Sequence, residues 1–513
     1  MIPELTEGLV GALAPMNLAA MFIGVALGIT IGVIPGLGPA MAIAVLVPVT
    51  FGMDPATGML LLMGVFAGGG YGGAISAVLL RIPGTAGSVA TMWDGYPMAQ
   101  QGQALRAIRV AIIASSLGGT IGALILMFLT PFLGGIALSF GPPEFVALAI
   151  LGLTVIVALE SSSLLKGAIA ALAGLLVATV GRDTVTGEPR FTFGALELYA
   201  GVNEIAALIG LFALPELIRL ASGRVTQIRA RHRKADKESG RLNIREQARL
   251  LPALGIGSAT GSFIGVLPGA GGTIASFVAY SLTRSRSRQP ETFGRGNPEG
   301  IAASESATNS SQATSLVPLF TLGVPGSAAA AVFLGAITIH GMRPGPSLFR
   351  DNADIIWIFL VGTLLIQPIL YLIARAGGSL FVAAAGIKAG ILVPAIFMFC
   401  VVGSFGISNN VFEVYIMLGF GILGYIMMRT GFSRAAFILG LILGPILDAN
   451  LSRSLSISQG DTLILIQSPV AIGVYILALL SLIYPMVSSR LAQRRIVTNQ
   501  YAKSNNDNLK IIK

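Results

Sequence analysis

A Pro-Gly break occurs twice in each half of this 513-residue chain. Gly32-Val33-Ile34-Pro35-Gly36-Leu37-Gly38 returns as Gly265-Val266-Leu267-Pro268-Gly269-Ala270-Gly271, and Ile82-Pro83-Gly84-Thr85 returns as Val324-Pro325-Gly326-Ser327. The chain is therefore a duplicated unit. Every copy lies inside or at the edge of an uncharged apolar run, where Pro removes a helix hydrogen bond and Gly frees the backbone. Within a membrane such interruptions survive only where they are buried in protein or line a cavity. Repeated broken helices are the sequence mark of a secondary transporter and of its binding site.

The apolar runs themselves place the chain in a bilayer. Hydrophobic residues make up 54% of it and charged residues 11%, and the mean hydropathy is +0.82, a balance no soluble surface accommodates. Uncharged stretches cover residues 8–53, 55–80, 110–143, 145–159, 167–181, 250–283, 355–374, 389–412 and 462–489. Since a helix needs about 20 apolar residues to cross the hydrocarbon core, the longest runs hold a span plus a hairpin, or two spans, and roughly a dozen helical segments are expected. Period-two alternation is absent, so the predicted class is an all-α polytopic membrane protein with broken or re-entrant helices. The N-terminus lacks a basic n-region and carries Glu4 and Glu7, unlike a cleaved signal peptide. The lone Cys400 excludes an internal disulfide or a cysteine metal cluster.

The net charge of +10 is concentrated in a few loops, the pattern that the positive-inside rule produces rather than that of a nucleic-acid binder. These loops are marked by Arg106 and Arg109, by Arg224 to Arg249, by Arg284 to Arg295, and by Arg490 to Lys513. They predict residues 1–222 as a first membrane repeat, 223–250 as a basic cytoplasmic linker, 251–489 as a second repeat and 490–513 as a basic cytoplasmic tail. Residues 250–283 are flanked by basic loops, whereas their counterpart 8–53 lies between Glu7 and Asp54. Opposite flanking charge on equivalent segments means two inverted repeats, with the N-terminus outside and the C-terminus in the cytoplasm.

Inverted units can exchange conformations around a site near the midplane. At each break, helix N-termini and glycine N–H groups concentrate partial positive charge, which suits a carboxylate. The residues expected to bind substrate are Gly36, Gly38, Gly84, Thr85, Ser88, Gly269, Gly271, Thr273, Asn309, Gly326 and Ser327, although Gly-Thr and Gly-Ser pairs also cap helices without binding anything. The stretch Glu299 to Gln312 is the most polar one near an apolar run. Glu305 and Asn309 share a helix face, and with Ser306 and Thr308 they offer oxygen ligands for a coupling cation, sodium or a proton. The alternative is a helix start, with Ser304 or Ser306 as cap and Glu305 in the first turn. His340 suits either a proton relay or a helix-end hydrogen bond, and Asp94-Gly95-Tyr96-Pro97 reads as a turn.

Other classes fit less well. Only His232 and His340 exist, and no Gly-Lys dipeptide occurs, so neither a helix-borne zinc protease site nor a P-loop is present. Gly68-Gly69-Gly70-Tyr71-Gly72-Gly73 satisfies a dinucleotide pattern formally but has no strand around it. A channel or a structural subunit of a membrane complex remains the alternative to a carrier.

The motifs resemble those of the large membrane subunit of the tripartite tricarboxylate transporters, the TctA family. The resemblance rests on both long Gly-Pro-Gly motifs, on Ile82 to Thr85, Asp94 to Ala99, Glu299 to Ala303, Leu322 to Ser327 and His340-Gly341-Met342-Arg343-Pro344-Gly345-Pro346. It implies a multi-pass protein of the bacterial inner membrane that is not an enzyme. It further implies import of a di- or tricarboxylate by cation symport, with a small membrane subunit (TctB type) and a periplasmic substrate-binding protein (TctC type) as partners and no cofactor. Two departures bear on substrate choice. Ala303 to Asn309 has one amide fewer than relatives often show, and Arg81 stands where they often carry Asn, either as a second carboxylate contact or as a boundary cation.

Overall fold

The structure, a computed structural model, describes residues 2–34, 37–137, 139–160, 163–183, 187–222, 242–267, 271–384 and 389–483. Gly36 and Gly269, residues 223–241 of the expected linker and the expected tail lie outside these segments.

Without water in the hydrocarbon core, each backbone group must be paired within its own segment, and the chain accordingly is helical. Among the described residues seven helices are long and apolar enough to cross a bilayer, and five shorter apolar helices accompany them, twelve in all. The one sheet among these residues pairs two-residue strands, Gly181–Arg182 with Pro189–Arg190.

The helix Pro55–Leu80 stands at the centre, its apolar window wholly enclosed by protein. Asp54 starts it by accepting from the Ala56 and Thr57 N–H groups at 3.1 and 3.4 Å, with Pro55 pre-set for the first turn. It ends at Arg81, which adopts left-handed backbone (φ 56°) just ahead of the second break.

Packing in both units follows one rule. In the first, Gly24, Gly28 and Gly32 on Pro15–Val33 lie on the backbone of Leu61, Val65 and Gly69, while Gly64, Gly68 and Gly72 answer from Pro55–Leu80. In the second, Gly257, Gly261 and Gly265 on Ile244–Val266 lie on Ala303, Ala307 and Ser311 of Pro298–Thr314. Each is a four-residue glycine ladder between parallel helices, close enough that a Cβ would strike backbone. The breaks then dock alike: the Gly84 N–H donates to the Gly73 carbonyl (3.4 Å) beside Gly32, and the Gly326 N–H donates to the Ser315 carbonyl (3.1 Å) beside Gly265.

The helix Val89–Gln100 sets the relative direction of the units. Thr85 lies beside Gly73 and Gly95 beside Val78, so after the break the chain continues along the course of Pro55–Leu80. The same segment meets Pro298–Thr314 in reverse order, Gly87 against Thr308, Thr91 against Ser304 and Asp94 against Gly300. Pro55–Leu80 and Pro298–Thr314 thus run in opposite directions, and the repeats are inverted. The closing helices are exchanged: Ala104–Ala137 packs on Pro298–Thr314, and Ala353–Ala384 on Pro15–Val33 and Pro55–Leu80. The first helix of the second unit begins at Ile244, inside the expected 223–250 linker, because Asn243 and Glu246 form a capping box there.

Candidate functional site

The breaks converge on one cavity of about 580 Å³. Its wall includes Gly38 from the first break, Gly84 and Thr85 from the second, Gly271 and Thr273 from the third, and Ser327 from the fourth. Each of these positions opens a helix: Pro39–Leu46, Ala86–Ser88 leading into Val89–Gln100, Gly271–Arg286, and Ala328–Ile339. A fifth helix, Arg434–Ile457, also begins at the wall, through Ser433, Arg434 and Ala435. Positive helix ends from both units therefore face the same space, the arrangement that stabilises an anion without a mobile charge.

Hydroxyl groups hold these tips. The Thr85 Oγ1 accepts from the Ser88 N–H (3.2 Å) and shares a 2.7 Å contact with the Ser88 hydroxyl. The Ser327 hydroxyl accepts from the Ala330 N–H (3.1 Å) and approaches the Ser315 hydroxyl at 3.3 Å. The Ser276 hydroxyl, one turn from Thr273, donates to the Thr273 carbonyl (2.8 Å). Thr85 and Ser327 cap helices and line the cavity at once, so the two readings of those Gly-Thr and Gly-Ser pairs are compatible, whereas Ser88, Ser276 and Gly326 do not line it.

The helix Pro298–Thr314 supplies a polar floor through Thr308, Ser311 and Gln312. The Ser311 hydroxyl donates to the Thr308 carbonyl (2.8 Å), and that of Thr308 to the Ser304 carbonyl (2.9 Å), so the lone pairs of both oxygens remain for a ligand. The Gln312 Oε1 is buried without a hydrogen-bond partner.

The opposite wall carries charge that the sequence pattern did not single out. The Arg434 guanidinium lies over the Phe212 ring, 5.6 Å from its centroid, and pairs with Glu216 at 3.3 Å. Glu216 also binds Arg219 at 2.8 Å. Two cations thus share one carboxylate at the cavity wall, leaving one positive charge in excess. The only sequence signal for them was their position at ends of apolar runs, which boundary charges share.

Glu305 is fully buried but does not line the cavity. Its carboxylate accepts from the Thr91 hydroxyl at 2.5 Å and from the Ser115 hydroxyl at 3.1 Å, between Val89–Gln100 and Ala104–Ala137. No cationic group binds it among the described residues. The Asn309 amide donates to the Glu305 backbone carbonyl (2.9 Å), and the Ser306 hydroxyl to that of Ala302 (2.8 Å), so neither faces the cavity. The helix-start alternative for Glu305 fails: Asn297 caps the helix and accepts from the Glu299 N–H, placing Glu305 two turns further in.

Asp94-Gly95-Tyr96-Pro97 is helical, not a turn. Buried Asp94 accepts three backbone N–H groups at its Oδ1, from Gly294, Gly296 and Asn297 at 2.8 to 2.9 Å, and the Tyr280 hydroxyl at its Oδ2 (2.7 Å). It fastens the segment after the second break to the second unit. Arg81 is exposed, stacks over Tyr96 at 5.5 Å and does not line the cavity. His340 ends Ala328–Ile339 and contacts the Thr50 hydroxyl at 3.2 Å, as the helix-end reading expects.

Comparisons with known proteins assign the chain to a family. A sequence model described as the tripartite tricarboxylate transporter TctA family matches residues 18–439. Among curated proteins, the chain is 36% identical over 501 residues to an "Uncharacterized 52.8 kDa protein in TAR-I ttuC' 3'region" of Agrobacterium vitis, covering 96% of this chain and 98% of the relative. An "Uncharacterized protein in TAR-II ttuC' 3'region" of the same organism is 36% identical over 234 residues, 46% of this chain and 97% of that protein. No solved structure matches. With four fifths of its length matched, the chain belongs to the tripartite tricarboxylate transporter TctA family.

Proposed function

We infer that this protein is the translocation subunit of a binding-protein-dependent carrier that imports a di- or tricarboxylate by cation symport. It would act in the bacterial inner membrane with a small membrane subunit and a periplasmic binding protein, its N-terminus periplasmic and its C-terminus cytoplasmic. The observation that carries this reading is the meeting of five helix N-termini from both inverted units at one cavity. Fixed dipoles there replace part of a carboxylate's hydration, while the Arg434 and Arg219 pair provides a full charge for a second carboxylate. A single-charge site would not need that second element.

Two positions serve for the coupling cation. The cavity floor, with Thr308, Ser311 and Gln312, offers neutral oxygens suited to sodium. Glu305, a carboxylate with hydroxyl partners alone, suits a proton. The inverted units exchange access as their break tips move against each other, and Asp94 couples one tip to the opposite unit.

The test is reconstitution of the complex in liposomes with labelled di- and tricarboxylates under separate sodium and proton gradients. Saturable uptake that requires the binding protein and responds to one gradient is the expected result. Flux that does not saturate, or that ignores both gradients, would instead favour a channel or a structural role.

A further inference from the structure

We propose that a second anion site, built for the phosphate group of an anionic phospholipid, lies at the open end of the hairpin that carries the third break. The hairpin consists of Ile244–Val266 and Gly271–Arg286, whose tip reaches the transport cavity. At its far end the two arms enclose a separate cavity of about 640 Å³, lined by Arg249 from one arm, Arg286 from the other and Arg288 just beyond. None of the three arginines makes an ion pair or side-chain hydrogen bond among the described residues. Glu299 is the one acidic group in the lining among the described residues, and the lining residues together carry an excess of two positive charges.

A buried polar atom points to the same ligand. Thr283 lines this cavity at 3% exposure, and its Oγ1 has no hydrogen-bond partner among the described residues. A buried hydroxyl without a partner is costly, and a phosphate oxygen would satisfy it while the guanidinium forks bind the remaining oxygens. The source of the phosphate follows from what adjoins the pocket. Val278 and Leu282, two turns and one turn before Arg286 in the same i, i+4 row of its helix, are 37% and 36% exposed. An apolar surface thus leads away from the cationic pocket, as acyl chains below a headgroup require, and basic pockets between membrane helices are the recognised form of anionic-lipid recognition. Bound there, the headgroup ties the two arms together and fixes the angle at which the third break meets the transport cavity.

The proposal does not depend on which acid is carried, and it is tested by binding to the purified full chain. Short-chain phosphatidylglycerol, short-chain phosphatidylcholine and inorganic phosphate are titrated in detergent, with thermal stabilisation as the readout. Phosphatidylglycerol is expected to bind far better than phosphatidylcholine. The combined Arg249→Gln, Arg286→Gln and Arg288→Gln variant should lose ~100-fold in affinity, at about one order of magnitude or less per cation. A control with the same charge change at Arg109, Arg284 and Arg295 should lose under about twofold, because those groups lie off the pocket. Thr283→Val provides the second arm. Removing an unpaired buried hydroxyl leaves the fold at least as stable, yet should weaken phosphatidylglycerol binding several-fold. Equal loss in the control, undiminished binding by Thr283→Val, or equal binding of both lipids overturns the site. Inorganic phosphate acting at the same concentration as the lipid overturns the lipid source.

Discussion

Gly326→Ala separates the docking of the breaks from their flexibility. Gly326 has no left-handed backbone angle, so alanine is conformationally free to occupy it. The added Cβ would instead stand 2.6 Å from the Ser315 carbonyl oxygen, 2.9 Å from the Ser315 Cα and 3.1 Å from the Gly265 carbonyl oxygen. Ordinary contact begins near 3.4 Å, so the break must back away from the Ser315 backbone by about 0.8 Å and from that of Gly265 by about 0.3 Å. None of those atoms belongs to a flexible side chain that can yield. Overpacking of this kind costs about 1–3 kcal/mol, and the retreat also lengthens the 3.1 Å bond from the Gly326 N–H to Ser315. Gly38→Ala is the internal comparison, since Gly38 also belongs to a break but its Cβ meets nothing within 4 Å. Thermal unfolding of the purified protein should show a clear drop for Gly326→Ala and none for Gly38→Ala. If both variants unfold together with the wild type, close docking is not what positions the fourth break.

Three further outcomes follow from the same geometry. Arg434→Gln should weaken uptake of a dicarboxylate by ~10-fold or more and that of a monocarboxylate much less, whereas Glu216→Gln, which frees Arg434, should strengthen dicarboxylate binding; parallel losses in both variants would reduce the pair to a structural tie. Asp94→Ala leaves three N–H groups and the Tyr280 hydroxyl without their acceptor, so it should cost roughly 3 kcal/mol or more and speed tryptic cleavage at Arg288 and Arg295; unchanged cleavage kinetics would contradict the clamp. Glu305→Gln keeps the shape of the Thr91 and Ser115 pocket and should fold, while uptake loses its dependence on the coupling gradient; identical gradient dependence would remove Glu305 from coupling.

The duplication, the helical class and the positions of the breaks were legible because each is written in local chemistry: uncharged runs of spanning length, Pro-Gly pairs and the spacing between them. The glycine ladders were also written there, as Gly24-x-x-x-Gly28-x-x-x-Gly32 and Gly257-x-x-x-Gly261-x-x-x-Gly265, and their equivalence across the repeats is a stronger mark of duplication than the break motifs alone. The cavity wall was not legible. Arg434 and Glu216 are separated by 218 positions along the chain and meet only because Arg434–Ile457 and Glu204–Ala221 both end at the cavity. Asp94 misled for a related reason: Asp-Gly and Pro favour a turn locally, but its carboxylate is satisfied by a loop two hundred residues away, and that tertiary bond lets the segment remain helical.

Inversion turns these local facts into a mechanism. A ladder of glycines forces two parallel helices together at backbone distance, and in each unit the first helix of the pair ends at a break. The break that follows the second helix of the pair cannot then float: its glycine docks back on that helix, Gly84 on Gly73 and Gly326 on Ser315. Because the second unit runs the other way, the two docked tips meet from opposite directions. Their helix N-termini therefore face each other across a common space, and the partial charges that would be wasted at a surface are concentrated in one enclosed place. The polar helix Pro298–Thr314 is tolerated in the interior for the same reason, since its hydroxyl groups return hydrogen bonds to its own carbonyls and its fully buried carboxylate, Glu305, is held by hydroxyls of the opposite unit. Val89–Gln100, which follows the second break, supplies Thr91 to that carboxylate, so a proposed movement of this tip against the second unit would act on the Glu305 contacts without requiring Glu305 to touch the cavity.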